Sequence, residues 1–449
     1  MNRRFDPVDG LSGEVTPPAD KSISHRAALV GAMGDEPVTV RNFLDAADTR
    51  STLDAVVSLG AGVDEREGGL VIRGVGLRGA FEPAGGALDV GNAGTLMRVL
   101  PGWLAGQPSG RWTLDGDESI RRRPVARVVA PLRSMGAQLE ADDDRLPPLT
   151  VRGRRLQGTA HTLPVASAQV KTCLLFAGML ASGQTRVSEP TPSRDHTERM
   201  LARARAPVER DGLTVRVSAT DELELDEIVV PGDASSAAFL VAAACVVPRS
   251  RIVINDVGLN WTRTGFLRIA ERMGAVIEGE LEDPPPAWDG DRGGSPTRTG
   301  LVPSLDSEPA GELDVRAAPL EATTVVPEEV PLAIDELPLV ALLGCFAEGE
   351  TVVSGAGELR VKESDRIAGV AEGLRGLGGD IEATEDGFAV RGSGGLRGGS
   401  FDARGDHRLA MLGAVAGLAS REGVEVHGME AVEISYPGFE DDLRGLREG

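Results

Sequence analysis

From Asp20 to Arg73 the chain reads DKSISHRAALVGAMGDEPVTVRNFLDAADTRSTLDAVVSLGAGVDEREGGLVIR. A polar cluster, Asp20-Lys-Ser-Ile-Ser-His-Arg26, opens an apolar helical run rich in small residues. Pro37-Val-Thr-Val40 follows as a β-rich segment. A more amphipathic helical stretch then closes at Gly60, and a short strand ends in the pair Ile72-Arg73. Gly at the close of a helical stretch suits a left-handed cap, which it enters without a steric penalty. The same succession begins six times, near Asp20, Asn92, Ser167, Asp233, Asp335 and Asp406, at intervals of 72, 75, 66, 102 and 71 residues. Self-similarity at such a period means one supersecondary unit used repeatedly.

The later units carry the same punctuation. Gly136, Gly274 and Gly378 close their second helical stretches, and Val151-Arg152, Val215-Arg216, Val315-Arg316 and Val390-Arg391 end strands. Arg205-Ala206-Pro207 stands where the third unit lacks its Gly, so that cap is either remodelled or strained by on the order of 1 kcal/mol. Five units read as strand, helix, strand, helix and further strand. The sixth is split: its first helix follows Asp406, its last spans Phe439 to Leu446, and its missing strand is expected near Glu14-Val15. Six units group into two domains of three, 20–231 and 1–19 plus 232–449, with two chain crossings and a ligand cleft between them. The fifth interval is too long. Gly274 to Val315 spans 41 residues where Gly378 to Val390 spans 12, and the Pro- and Gly-rich excess, 281–311, is expected to be a surface insertion.

Composition narrows the function. The chain has 449 residues, 41% of them hydrophobic, and 47 basic against 69 acidic residues give a net charge of −22. That balance argues against nucleic-acid or anionic-membrane binding. Cys173, Cys245 and Cys345 lie far apart in apolar runs, with neither metal-ligand spacing nor a disulfide framework. Met1 to Asp20 has no apolar core for a signal peptide, and the longest apolar stretch, Leu337 to Ala347, is too short to span a bilayer. A cytoplasmic protein acting on small molecules is expected. Only Lys21, Lys171 and Lys362 are Lys among the 47 basic residues. A chain that otherwise uses Arg keeps Lys where a compact, tunable ammonium is wanted.

The polar clusters open the apolar helices. An ordinary N-cap accounts for each cluster alone, and for Asp233-Ala-Ser-Ser236 it suffices. It does not account for Lys21, Arg26 and Arg408, since cations at a helix N-terminus oppose its dipole. Free amides plus cations make an anion site, so the expected ligand carries phosphates and carboxylates. Arg121-Arg-Arg-Pro124 places three cations before a Pro at an expected first helical position. Arg360-Val-Lys-Glu-Ser-Asp-Arg366 places Lys362 and Arg366 four apart, sharing a helical face near Glu363. A solvated Arg run and a salt-bridged helix start are the bland alternatives.

Eight segments taken in order resemble the 5-enolpyruvylshikimate-3-phosphate synthase family, the 3-phosphoshikimate 1-carboxyvinyltransferases. They are Asp20–Arg26, Gly91-Asn-Ala-Gly-Thr-Leu-Met-Arg98, Arg122-Arg-Pro124, Ser167-Ala-Gln-Val-Lys171, Ser193-Arg-Asp-His-Thr-Glu198, Pro231-Gly-Asp-Ala-Ser-Ser236, Arg360–Arg366 and Asp406-His-Arg408. The resemblance covers nearly the whole chain outside 281–311. It implies an α/β fold of two similar domains, each of three βαβαββ repeats, with an interdomain active-site cleft.

It also implies the chemistry. Phosphoenolpyruvate would be joined to the 5-hydroxyl of shikimate 3-phosphate through a tetrahedral intermediate, with loss of phosphate and with no metal or cofactor. This is the sixth step of the shikimate pathway to chorismate and the aromatic amino acids. By resemblance, Asp335 takes the hydroxyl proton, Glu363 works at the methylene carbon, and Lys21 stands between both substrates. Gly94, Thr95, Arg123, Gln169, Arg366 and Arg408 face phosphoenolpyruvate. Ser22, Arg26, Ser167, Ala168, Gln169, Arg194, Asp335 and Lys362 hold shikimate 3-phosphate. Gly94 leaves room that a methyl group would fill, so glyphosate is expected to fit as an inhibitor. Many family members carry a Lys two residues before an aromatic-Pro pair, where this chain has Ile434 before Tyr436-Pro437. The family further implies a monomer. Lys171 has no assigned role and is expected to serve structure.

One rival shares the fold, and a more distant one shares a βαβαββ-type unit. A UDP-N-acetylglucosamine enolpyruvyl transferase would place a reactive Cys where this chain has Gly116-Asp-Glu-Ser-Ile-Arg121. An RNA 3′-phosphate cyclase is disfavoured by the charge. A non-catalytic phosphometabolite-binding protein would be expected to lack Asp335 or Glu363, and both are present.

Overall fold

The structure is a computed structural model and describes residues 1–83, 86–285 and 307–448. Its chain divides into two compact units. One comprises 1–18, 231–285 and 309–448; the other comprises Ala19–Val230 with Ser307 and Glu308. Each unit buries its own hydrophobic cluster.

One sheet plan recurs. In the Ala19–Val230 unit, Glu227–Val229 pairs parallel with Val38–Arg41, which pairs antiparallel with Gly69–Arg73, itself antiparallel to Gly62–Arg66. The order Leu88–Asp89, Arg111–Asp115, Leu146–Arg152, Gln138–Asp142 repeats this, as does Ala160–Thr162, Gln184–Ser188, Thr214–Ser218, Val208–Asp211. In the other unit the order is Ser12–Val15, Arg251–Gly258, Ala310–Arg316, Val276–Glu278, and then Thr324–Val325, Glu350–Val353, Phe388–Arg391, Asp380–Ala383. The sixth sheet has three described strands, Gly399–Asp402, Val424–His427 and Asn2–Phe5.

The chain ends differ from expectation here. Ser12–Val15 does not complete the sixth repeat; it runs parallel to Arg251–Gly258 and leads the fourth. The sixth sheet is completed by Asn2–Phe5, antiparallel to Val424–His427. The same device appears in the other unit, where Glu227–Val229 leads the first repeat just before the chain leaves. Each unit is thus closed by a strand distant in sequence.

Six helices fill the layers: α1 (Lys21–Met33), α2 (Gly94–Ala105), α3 (Ala168–Met179), α4 (Ala234–Val246), α5 (Leu337–Phe346) and α6 (His407–Ala419). All 13 residues of α4 are buried, as its run of Ala and aliphatic residues requires. Small residues permit close crossings. A Cβ on Gly102 of α2 would lie 2.0 Å from the carbonyl oxygen of Cys173 on α3. The second helices end as their glycines foretell: Gly60, Gly136, Gly274 and Gly378 have φ of 103°, 93°, 98° and 95°. Arg205 adopts the same hand, at φ 57°, so the cap is kept and the strain accepted. The strand-ending arginines reach carboxylates on neighbouring strands, as Arg73 does to Asp64 at 2.6 Å and Arg391 to Glu350 at 2.9 Å. These exposed pairs contribute little to stability.

The segment 281–311 is only partly described. Leu281 is buried in the core and Glu282 is likewise buried, so the surface stretch does not begin at 281. At the far end, the Glu308 carboxyl meets His196 Nδ1 at 2.8 Å, and Arg199 Nη1 donates to the Ser307 carbonyl at 2.9 Å. Residues 286–306 of the expected insertion lie outside the described residues. Among the described residues no helix is long and apolar enough to cross a membrane.

Candidate active site

In the Ala19–Val230 unit, Asp20 caps α1 by accepting from the Ile23 amide at 2.8 Å, which places Lys21 and Ser22 in its first turn. Lys21 Nζ meets Asp48 Oδ2 at 3.0 Å. One turn on, buried Arg26 donates to Thr197 Oγ1 at 2.7 Å, the Ser22 carbonyl at 2.9 Å and Thr172 Oγ1 at 3.1 Å. Burial, then the charge of Arg194, lowers its pKa to about 10, against partial support from Glu198, Asp20 and Glu308. Arg194 Nη1 reaches Ser22 Oγ at 3.3 Å. Burial also lowers the pKa of His25 to about 3, opposed by Asp48 and reinforced by Lys21 and Arg26. A buried cation held by neutral oxygens gains from an approaching anion.

The same unit brings a second group together. Ser167 caps α3, leaving Ala168 and Gln169 in its first turn. Gln169 accepts from Arg98 Nη1 at 3.1 Å and donates to Thr95 Oγ1 at 3.1 Å. Arg123 Nη2 donates to Asn92 Oδ1 at 3.1 Å and Ser119 Oγ at 3.2 Å. Asn92 is therefore no N-cap: Ala93 takes that position and makes no side-chain bond. A Cβ on Gly94 would lie 3.0 Å from Arg123 Nη1 and 3.3 Å from Arg98 Nη1, so a methyl there would press on the cations. Of the Arg run, Arg121 pairs with Asp115 and Arg122 with Glu118 at the surface; only Arg123 is buried. Pro124 is not the first helical residue, because the next helix begins at Ala126 behind Val125.

The other unit gathers carboxylates. Arg366 is 1% exposed and donates from Nη1 to Asp335 at 3.1 Å, from Nη2 to Glu363 at 2.6 Å and from Nε to Asp406 at 2.9 Å. Burial alone would lower its pKa, but Asp406, Glu363 and Asp335 outweigh burial and raise it. The Asp406 carboxyl is held low although burial would raise it, because Arg366 dominates; it also caps α6 through the Arg408 amide at 2.9 Å. Lys362 Nζ reaches Asp335 Oδ1 at 3.3 Å. Lys362, Glu363 and Arg366 do not share a helical face. The helix begins at Arg366 because Asp365 caps it, accepting from Ala368 at 3.0 Å, so Lys362 and Glu363 project from the preceding loop. Arg408 Nη1 donates to the Asp335 carbonyl at 3.2 Å and to Glu336 Oε1 at 3.5 Å.

Each predicted set of substrate residues is thus divided between the units: Arg366, Arg408, Asp335 and Lys362 lie in one, and the remaining binding residues in the Ala19–Val230 unit. Lys171, as expected for a structural residue, is buried between Glu189 at 2.7 Å and Glu198 at 2.8 Å. Burial would lower its pKa, but the two glutamates raise it. The thiols are buried, and burial pushes Cys245 and Cys345 up to about 12, far from a nucleophile's range. Among the described residues no three His, Cys, Asp or Glu side chains gather as metal ligands would.

A family model for EPSP synthase (3-phosphoshikimate 1-carboxyvinyltransferase) matches residues 5–443. The chain belongs to the EPSP synthase family. Family relatives named 3-phosphoshikimate 1-carboxyvinyltransferase include one from Halorhodospira halophila, 46% identical over 450 residues, covering 100% of this chain and 96% of that one. Another, from Thermus thermophilus, is 45% identical over 444 residues, covering 99% and 98%. A solved EPSP synthase structure from Acinetobacter baumannii superposes with a TM-score of 0.83 at 36% identity, covering 99% of this chain and 98% of that one. The two-domain α/β fold expected of the family is the fold found.

Sequence reading missed Asp48, Glu336, Ser235 and Arg263. Asp48 reads as an ordinary first-turn acid of the helix Ala47–Ser58. Asp233 does cap α4, accepting from the Ser235 amide at 2.7 Å, but it also takes Arg263 Nη2 at 3.0 Å. Ile434 closes the turn Met429–Ile434 and is half-buried.

Proposed function

We propose that the protein transfers the enolpyruvyl group of phosphoenolpyruvate to the 5-hydroxyl of shikimate 3-phosphate and releases phosphate, in the cytoplasm; its relatives are named 3-phosphoshikimate 1-carboxyvinyltransferase. The observation that carries this reading is one buried guanidinium, Arg366, holding Asp335 and Glu363 in place at 3.1 Å and 2.6 Å. Addition–elimination needs two proton-handling groups that are fixed but not identical. Asp335, which also meets Lys362, takes the proton as the hydroxyl oxygen bonds to C2 of phosphoenolpyruvate. The methylene carbon gains a proton in the same addition, which makes the tetrahedral intermediate. Elimination then breaks the C2–O bond to phosphate and removes a methyl proton, and the enol ether re-forms. Glu363 handles the carbon-bound proton, and Lys21 stabilises charge between the substrates.

Binding falls to the cations. Ser22, Arg26, Ser167, Ala168, Gln169, Arg194, Asp335 and Lys362 hold shikimate 3-phosphate. Arg123, Arg366 and Arg408 clamp phosphoenolpyruvate, with Gly94, Thr95 and Gln169 beside them, since a guanidinium fork fits phosphate and carboxylate. Glyphosate competes there as an anion of similar charge. Phosphate release from phosphoenolpyruvate is measured with either acceptor. Release with shikimate 3-phosphate and none with UDP-N-acetylglucosamine is expected; the reverse would overturn the acceptor, and release with neither would overturn the enzyme.

A further inference from the structure

Arg366 and Arg408 open from neighbouring N-terminal turns, yet they are held very differently. Arg366 spends Nε, Nη1 and Nη2 on three carboxyl groups. Arg408 is nearly as buried, but its Nε has no partner among the described residues; Nη1 reaches the Asp335 carbonyl and Glu336, and Nη2 only the Asp335 carboxylate, at 4.0 Å. It sits in the first turn of α6, where the helix dipole repels a cation. Something must fix its direction.

Behind it runs a chain of buried polar groups. Arg263 Nη2 donates to Ser235 Oγ at 2.7 Å and to Asp233 Oδ1 at 3.0 Å. A guanidinium can only donate, so Ser235 accepts there and its own proton goes to Glu336 Oε1. That oxygen is the one Arg408 Nη1 approaches. Glu336 is 2% exposed and adjoins Asp335. The polarity runs one way, from Arg263 through Ser235 to Glu336, and each member orients the next.

We propose that Glu336 is a positioning residue for Arg408, held by the Ser235 hydroxyl and through it by Arg263. The proposal rests on the reading of Arg408 as a phosphoenolpyruvate ligand. Glu336 touches no reacting atom; it aims the open donors of Arg408 at the substrate anion. Misdirecting a charged donor weakens one substrate and leaves the other unaffected.

The test is steady-state kinetics on the full chain with both substrates varied. E336Q, which keeps the shape and replaces the carboxylate by an amide, is expected to raise KM for phosphoenolpyruvate about tenfold. KM for shikimate 3-phosphate and the thermal midpoint should stay near the unsubstituted values. S235A should move the same KM about threefold, and S235T should restore it. R408A should raise that KM further, and E336Q added to R408A should then raise it no more, since the two share one path. Should E336Q fail to fold, S235A and S235T carry the comparison. An unchanged phosphoenolpyruvate KM in E336Q beside a raised one in R408A would overturn the proposal alone. So would equal increases in both KM values. An unchanged KM in R408A would overturn the assignment of Arg408, and the proposal with it.

Discussion

Arg26 and Arg366 are both buried guanidinium groups, and their surroundings are opposite. Arg26 is held by two threonine hydroxyls and a carbonyl, and burial with Arg194 lowers its pKa to about 10. Arg366 is held by Asp335, Glu363 and Asp406, which raise its pKa against burial. The first cation is left wanting an anion; the second is already neutralised several times over. In the proposed function Arg26 is placed to take up a substrate anion, whereas Arg366 also fixes the carboxyl groups used for proton transfer.

The largest consequence is for stability. Removing the cation from the carboxylate set strands Asp335, Glu363 and Asp406 beside one another. R366M should therefore destabilise its unit by about 3–5 kcal/mol. R26M removes a charge whose hydrogen-bond partners are neutral and which Glu198, Asp20 and Glu308 support only in part, and should shift stability by much less. Urea unfolding of both variants checks this, and equal losses would break the contrast.

A smaller effect sharpens it through pH. His25 is neutral when folded because burial, Lys21 and Arg26 lower its pKa to about 3, whereas the unfolded value is 6.5. The unfolded state alone takes up the proton between those values, so stability falls as pH drops below 6.5. At pH 5 the loss is about 2 kcal/mol. The Asp406 carboxyl, held low by Arg366, contributes stability above the ordinary carboxylate range and loses it at still lower pH. H25Q should flatten the unfolding profile between pH 6.5 and 5 and leave the lower acid limb intact. An unchanged slope would show that His25 is not the titrating group.

The repeats were legible because their signals are local. The polar cluster before a small-residue helix and the Gly at a left-handed cap each act within one turn, and Gly60, Gly136, Gly274 and Gly378 do what they imply. The closing strands were not, because pairing Asn2–Phe5 with Val424–His427 joins the two ends of the chain, and nothing local in the sequence distinguishes it from Ser12–Val15. The site divides in the same way. Lys21, Arg26 and Arg408 stood out as cations at helix starts, where the dipole opposes them. Asp48, Ser235, Arg263 and Glu336 acquire meaning only from partners distant in sequence, Asp48 from Lys21, Arg263 from Ser235, and Glu336 from Ser235 and Arg408: a first-turn acid or a Ser beside a cap has an ordinary use everywhere else. Lys362 and Glu363 were placed on a helix because spacing alone does not say that Asp365, rather than an earlier residue, would cap it.

The division between binding and proton transfer is tested most directly by titrating shikimate 3-phosphate into R26M and E363Q in a calorimeter. E363Q should bind it as the unsubstituted protein does while turning over at least about a hundredfold more slowly, and R26M should lose binding. Loss of binding in E363Q with retention in R26M would contradict the account.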